Sequence, residues 1–289
     1  MLSVNDFIKQ LSVESKINCH HYKQVHGGDI NEAFCLIGDD QKYFLKVNDA
    51  DRYPGMFKKE AEGLTALSNH SSFVIPKVIH YGVIGYKQYL LLEWIEAGTA
   101  SNNFWEEFGR TLAMMHQQPQ SYFGWSSDNY IGSLDQINQQ HNNWASFYAE
   151  CRIMPLVKQG FAQGNFNKKD VHQAALLCNK LDDFLPKEPA SLLHGDLWSG
   201  NFMVSSIGKS TLFDPAVYNG HREMDIGMTM LFGGFSSRFY GAYNEYYPLE
   251  MQWQQRLQLT QLYPLLVHAL LFNGNYINRC RDIWKQFSQ

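Results

Sequence analysis

Long apolar runs are what this chain has least of. The longest lies near residues 263–272, about half of the roughly 20 residues a membrane span needs, and His268 interrupts it. It reads as a buried helix, so no membrane partner is expected. Cysteine is sparse as well. Cys19, Cys35, Cys151, Cys178 and Cys280 are odd in number and form no CxxC pair. That argues against a disulfide scaffold and a paired-thiol zinc site, and for reduced thiols in a cytoplasmic protein. The first ten residues, MLSVNDFIKQ, lack an uninterrupted apolar core and do not read as a signal peptide. An excess of one charge is missing too, with 24 Lys and Arg against 28 Asp and Glu, a formal net charge of −4. Nucleic acid is therefore not expected as the primary partner, although a local cationic pocket for a nucleotide remains allowed. Also absent are HExxH, G-x-S-x-G and the Walker A pattern G-x-x-x-x-G-K-[ST]. His20-His21 reads as surface histidine.

What is present is an ordinary globular balance, 45% hydrophobic and 18% charged over 289 residues. That length suits one large or two modest domains. A short helical start occupies residues 1–20. Residues 24–36 read as strand, turn, strand, with Gly27-Gly28 at the turn. Tyr43–Val47 is a third strand, and Phe57, Ala61, Leu64 and Leu67 then recur at helical spacing. Pro76–Gly82 and Tyr89–Ile95 add two strands. Past Glu96–Gly98 the pattern turns helical, with Phe104, Phe108, Leu112 and Met115 on one face. A loop is expected through Phe123–Gly132, then helices over 143–158 and 170–185. Two short strands, Asn201–Val204 and Thr211–Phe213, interrupt before helix resumes near Met224. The expectation is an α+β chain with a small β-rich N-lobe, 1–95, and a larger, mainly helical C-lobe, 96–289.

The chemistry concentrates in His194-Gly195-Asp196-Leu197-Trp198-Ser199-Gly200-Asn201. Phosphoryl transfer needs a group that accepts the proton of the attacking hydroxyl and oxygen ligands for Mg²⁺. Asp196 suits the first task. Asn201, five residues on, and Asp214, at the end of the second short strand, suit the other. The connection 205–210 is short enough for a hairpin to bring Asn201 and Asp214 to one end. Each turn alone would be unremarkable. Yet His-Gly-Asp-x-x-x-x-Asn arises by chance at a given start on the order of once in 10⁵.

The N-terminal half supplies the remaining parts in the right order. Gly27-Gly28 can cover phosphates, Lys46 on the third strand can meet them, and Glu60 on the next helix can hold the lysine. Glu62 competes for that last role, but Glu60 precedes the apolar face set by Ala61 and Leu64. Read singly, Gly27-Gly28 is also an ordinary hairpin turn and Lys46 a solvated strand lysine. The main chain of Glu93, Trp94 and Ile95 can pair with an adenine edge; a plain edge strand is the competing reading. Two readings stand for Asp225: a brace that accepts main-chain N–H bonds from the catalytic loop, or a helix N-terminal Asp favoured by the dipole.

The segment His194–Asn201 resembles the catalytic loop of the aminoglycoside-phosphotransferase-like small-molecule kinases, which share the protein-kinase fold. More narrowly, Gly28–Ala33, His194–Asn201 and Asp214-Pro215-Ala216 with Gly220-His221-Arg222-Glu223 resemble the fructosamine kinase family. Phe123-Gly124-Trp125, Asp128–Gly132, Trp144, Arg152, Pro155 and Leu265–His268 fit as well, so the resemblance spans nearly the whole chain. It implies a bilobal protein-kinase-like fold and ATP- and Mg²⁺-dependent phosphorylation of the sugar 3-hydroxyl of ketosamines. The acceptor would be a small-molecule ketosamine or a glycated protein amine. The 3-phosphate is labile, so deglycation of the amine follows. Carried over, Asp196 is the proton acceptor, Asn201 and Asp214 hold Mg²⁺, Lys46 contacts phosphates, and Glu93–Ile95 meet the adenine. Asn129, Trp198 and His221 are candidate substrate contacts, with His194 and Asp225 as structural support. A cytoplasmic monomer is expected. Where some members carry a cysteine in the glycine-rich loop, this chain has Asp29, so redox control through that loop is not implied. The alternatives are a kinase of another small alcohol, of aminoglycoside or choline type, and a nucleotide-binding protein without catalysis.

Overall fold

A computed structural model describes residues 3–25 and 30–288. Gly27, Gly28 and Asp29 lie outside the described residues. The chain divides into two compact units, residues 1–101 with 202–215, and residues 102–201 with 216–289.

The first unit opens with helix α1, Val4–Ser15, whose N-cap Ser3 accepts the Asp6 N–H. Strands β1 (His21–Val25), β2 (Glu32–Ile37) and β3 (Lys42–Asp49) follow, then helix α2 (Met56–His70), then strands β4 (Val78–Ile84) and β5 (Lys87–Glu93). The five strands form one antiparallel sheet in the order β1-β2-β3-β5-β4. Both faces are covered, which explains why Tyr89-Leu90-Leu91-Leu92 is apolar throughout. Strand side chains alternate between faces. Tyr89 and Leu91 pack with Phe7, Ile8 and Leu11 of α1. Leu90 and Leu92 pack with Phe57, Ala61 and Leu64 of α2.

The second unit begins with helix α3 (Phe104–His116) and strand β6 (Pro119–Gln120). The stretch read as a loop contains a small hairpin, β7 (Asn129–Ile131) with β8 (Leu134–Gln136). Helix α4 (Trp144–Phe147) runs into a π-helical turn, Tyr148–Ile153, and then α5 (Met154–Ala162). Helices α6 (Lys168–Cys178) and α7 (Leu181–Phe184) lead to β9 (Ala190–Leu193). The chain then enters the first unit for the hairpin β10 (Phe202–Val204) and β11 (Ser210–Leu212), and returns for β12 (Tyr218–Gly220). Helices α8 (Glu223–Leu231), α9 (Ser237–Tyr246), α10 (Trp253–Phe272) and α11 (Asn275–Phe287) complete it.

Strands β12, β9 and β6 form a sheet that sequence patterning does not reveal. β9 is buried along its whole length, so it shows no alternation to read. Helix α10 carries Pro264 in its interior. Just before it, the Tyr148 hydroxyl accepts the Tyr263 N–H and donates to the Leu259 carbonyl. One hydroxyl thereby bridges a pair that would otherwise bond directly along the helix. The five cysteines are free thiols. Among the described residues no helix is long and apolar enough to cross a membrane.

Candidate active site

In the first unit, the candidate side chains Glu60 and Asp214 gather around Lys46. Strand alternation turns Lys46 away from Leu45 and Val47, whose side chains join the α1-side core. Its Nζ lies 2.8 and 2.9 Å from the two Glu60 carboxylate oxygens and 2.9 Å from Asp214 Oδ1. The lysine side chain is only 3% exposed. A buried ammonium is tolerated only when paired and hydrogen-bonded. Burial pulls Lys46 down, but Asp214 and Glu60 outweigh it and hold the group above the ordinary lysine range. Glu62 faces Lys59 instead, at 3.8 Å.

Asp214 follows β11 with φ +53°, the left-handed region that Asp tolerates better than most residues. The hairpin pairs Phe202 with Leu212. The chain therefore enters after Asn201 and leaves toward Asp214 at the same hairpin end. Glu93 ends β5, its N–H bonded to the Lys77 carbonyl. Trp94 and Ile95 lie beyond the ladder, and among the described residues their main-chain groups make no hydrogen bond to another main-chain group.

In the second unit, β9 delivers His194–Asn201. Gly195 has φ +81°, and a Cβ there would sit 2.1 Å from the Ala216 carbonyl oxygen. Only glycine fits. Asp225, 1% exposed, accepts the His194 N–H at 2.8 Å and the Gly195 N–H at 2.9 Å. Its Oδ2 also lies 3.3 Å from His116 Nε2. Burial pushes the Asp225 carboxyl up, but His116, His194 and the Gly195 N–H outweigh it and hold it below the usual carboxylate range. Asn201 Nδ2 donates to the Asp196 carbonyl and to Asp196 Oδ2, both at 2.9 Å. Both Asn201 side-chain bonds thus use its nitrogen and leave its amide oxygen available. Asp196 itself is half-buried.

Of the three candidate substrate contacts, two are buried and bonded within the protein. Asn129 is buried, donates to the Val217 carbonyl, and accepts from Gln136 and Asn138. His221 is 1% exposed; its Nδ1 accepts the Glu223 N–H, and Nε2 faces Glu188 at 3.6 Å. Both side chains are committed inside the unit and do not reach solvent. Trp198 is exposed and meets Phe232 edge to face. His116, the Asp225 partner, carried no signal beyond a polar residue on the apolar face of α3.

His221 makes stability pH-dependent. Burial holds it below the usual histidine range, against the opposing pull of Glu223 and Glu188. Below about pH 6.5 the unfolded chain takes up a proton that the native one does not. The His221 contribution is therefore present above that pH and is lost as pH falls toward the native value. Denaturant midpoints should drop from pH 7.5 to 5.5, and His221→Gln should flatten that drop. Parallel profiles for the two proteins would exclude His221 as the cause.

A family model described as fructosamine kinase matches residues 2–289. A probable ketoamine kinase of Synechocystis sp. is 39% identical over 268 residues, covering 91% of this chain and 89% of that relative. A solved structure from Thermobifida fusca that carries a fructosamine-3-kinase name superposes with TM-score 0.88 at 31% identity, covering 98% of each chain. A spectinomycin phosphotransferase solved with ADP and spectinomycin reaches TM-score 0.62 at 15% identity, over 98% of this chain and 93% of that one. The last likeness speaks to the kinase-like fold alone.

Proposed function

The chain belongs to the fructosamine kinase family, and from that premise we propose that it is an ATP-dependent kinase of ketosamines, phosphorylating the sugar 3-hydroxyl. The observation that carries the reading is the Asp196 carboxylate. One of its oxygens is held by Asn201, on a loop whose main chain is gripped by Asp225. That is a fixed proton acceptor of the kind phosphoryl transfer requires.

In this reading the ketosamine 3-hydroxyl oxygen attacks the γ-phosphorus of ATP and Asp196 takes its proton. The bond from the γ-phosphorus to the bridging oxygen breaks, and ADP leaves with that electron pair. Lys46, kept charged by Glu60 and Asp214, contacts phosphate oxygens. The main-chain groups of Glu93–Ile95 offer donors and acceptors to an adenine edge. The 3-phosphate formed is labile, and its loss frees the amine.

The donors also fit Mg²⁺. Asp214 has one oxygen on Lys46 and a side chain 39% exposed, and Asn201 keeps its amide oxygen. These are oxygen ligands suited to a hard cation, which commonly takes one or two carboxylates together with substrate phosphates. Bound there, Mg²⁺ would neutralise charge on the transferring phosphate. The free thiols suit a cytosolic setting.

The test offers purified protein Mg-ATP with fructosamines, ribulosamines, an aminoglycoside and choline, and follows ADP release and product phosphate. Ketosamines should be the fastest acceptors. Faster turnover of an aminoglycoside or choline would reject the ketosamine assignment. Mg-ATP binding without a phosphorylated product from any acceptor would reject catalysis.

A further inference from the structure

The aromatic and polar loop around Asn129 and the conspicuous Arg152 have no part in the chemistry above. They belong to one buried polar network behind the catalytic loop. Arg152 is fully buried within the π-helical turn Tyr148–Ile153. Such turns add a residue to the helical circuit and frequently mark functional positions. Its guanidinium stacks over Tyr218, Phe147 and Tyr263 at 4.1, 4.6 and 5.2 Å. Among the described residues it forms no ion pair with a carboxylate. It donates to the Ile137 and Cys151 carbonyls and, at 2.7 Å, to Asn138 Oδ1.

From there the bonds run one way. Asn138 Nδ2 donates to Asn129 Oδ1 at 2.8 Å, and Gln136 Nε2 donates to the same oxygen at 2.8 Å. Tyr263 orients Gln136 by donating to its Oε1 at 2.8 Å. Both amides then reach main chain. Asn129 Nδ2 donates to the Val217 carbonyl at 2.8 Å and Gln136 Nε2 to the Ala216 carbonyl at 3.0 Å. Ala216 touches the catalytic loop on two sides. Its N–H bonds to the His194 carbonyl at 2.9 Å, and its carbonyl oxygen occupies the space a Gly195 Cβ would need.

We propose that Asn129 and Gln136, locked by Asn138, Arg152 and Tyr263, are positioning residues that set the His194–Asp196 main chain through Ala216–Val217. The inference rests on Asp196 being the proton acceptor. A buried polar network is an expensive way to fill a core, since apolar side chains of similar volume often serve stability equally well. What this one adds is a defined position for the Ala216 carbonyl directly behind Gly195 and for the Val217 carbonyl next to it in the chain. A misplacement of about 1 Å can reduce phosphoryl transfer by as much as 10²-fold.

The test is Gln136→Met, which keeps the bulk and removes both donated bonds. Activity is measured well below the melting temperature, alongside amide hydrogen exchange at Gly195 and Asp196. A kcat at least about tenfold lower is expected, with KM for ATP within about threefold, and faster exchange at those two amides. A folded variant with a lower melting temperature but unchanged kcat and unchanged loop exchange overturns the proposal. Tyr263→Phe removes only the bond that orients Gln136 and should show the same split at about threefold. Should Gln136→Met fail to fold, that variant decides, and wild-type kcat and exchange in it overturn the proposal. If the wild type is inert on ketosamines, the substrate reading fails, while the exchange comparison still decides the network.

Discussion

Asp196→Asn is expected to fold normally and to turn over about 10²–10⁴-fold more slowly, the usual range for loss of a general base. The substitution is nearly isosteric. Asn201 can still donate to the remaining oxygen, so the loop stays where Asp225 and Ala216 hold it. What is lost is the acceptor for the hydroxyl proton. The loss should fall on kcat, with KM for ATP little changed, because the interaction belongs to the transition state. Steady-state kinetics and a thermal melt on the same preparation check both halves. Near-wild-type turnover would remove Asp196 from the mechanism.

Asp225→Ala is expected to damage both stability and activity. It removes the carboxylate that accepts the His194 N–H, which is fully buried, and the Gly195 N–H, which is part-buried. A buried donor left without its acceptor costs about 1–3 kcal/mol, which applies to His194; the part-buried Gly195 N–H and the His116 Nε2 contact add to that loss. The melting temperature should fall by on the order of 10 °C. Because the Asp225 carboxyl is held below its usual range, its contribution is present above about pH 3.9 and is lost only as pH falls through the lower native value. The difference between wild type and Asp225→Ala should therefore be level between about pH 6 and 8. Asp225→Asn keeps one acceptor oxygen and should fall between the two. A melt unchanged in Asp225→Ala would show that the loop does not depend on this carboxylate.

Much of the local structure could be read directly. Helix α2 follows the spacing of Phe57, Ala61, Leu64 and Leu67, and the strands around Lys46 follow their β-branched and aromatic content. The choice between Glu60 and Glu62 came from helical phase, since only one of two residues so close in sequence can face the apolar side. The brace reading of Asp225 also corresponds to bonds the structure contains. What residue type left open shares one cause. Asn129 and His221 are polar residues in conspicuous segments, and residue type does not say whether a polar group meets a ligand or the protein itself. The main-chain partner of Asn129 is Val217, 88 residues away. The β7–β8 hairpin and the β12-β9-β6 sheet were hidden for a related reason, being short and mostly buried, without a period to detect.

By itself the sequence carried the candidate residues, an Asp, an Asn and a second Asp at fixed spacing and a lysine on a strand, and a family resemblance that the comparisons bear out. Those features are local, carried by side-chain period and by residues a few positions apart. The tertiary structure alone decided that the 202–215 hairpin joins the N-terminal unit, through bridges of Thr211 to Val74 and Ser205 to Ala97. It alone decided that Asp225 grips His194 and Gly195, and that Asn129 and Gln136 hold the chain behind them. Each of those contacts joins residues 30 or more positions apart in the chain. Their partners are main-chain N–H and C=O groups, which every residue carries, so no pattern along the chain can announce them.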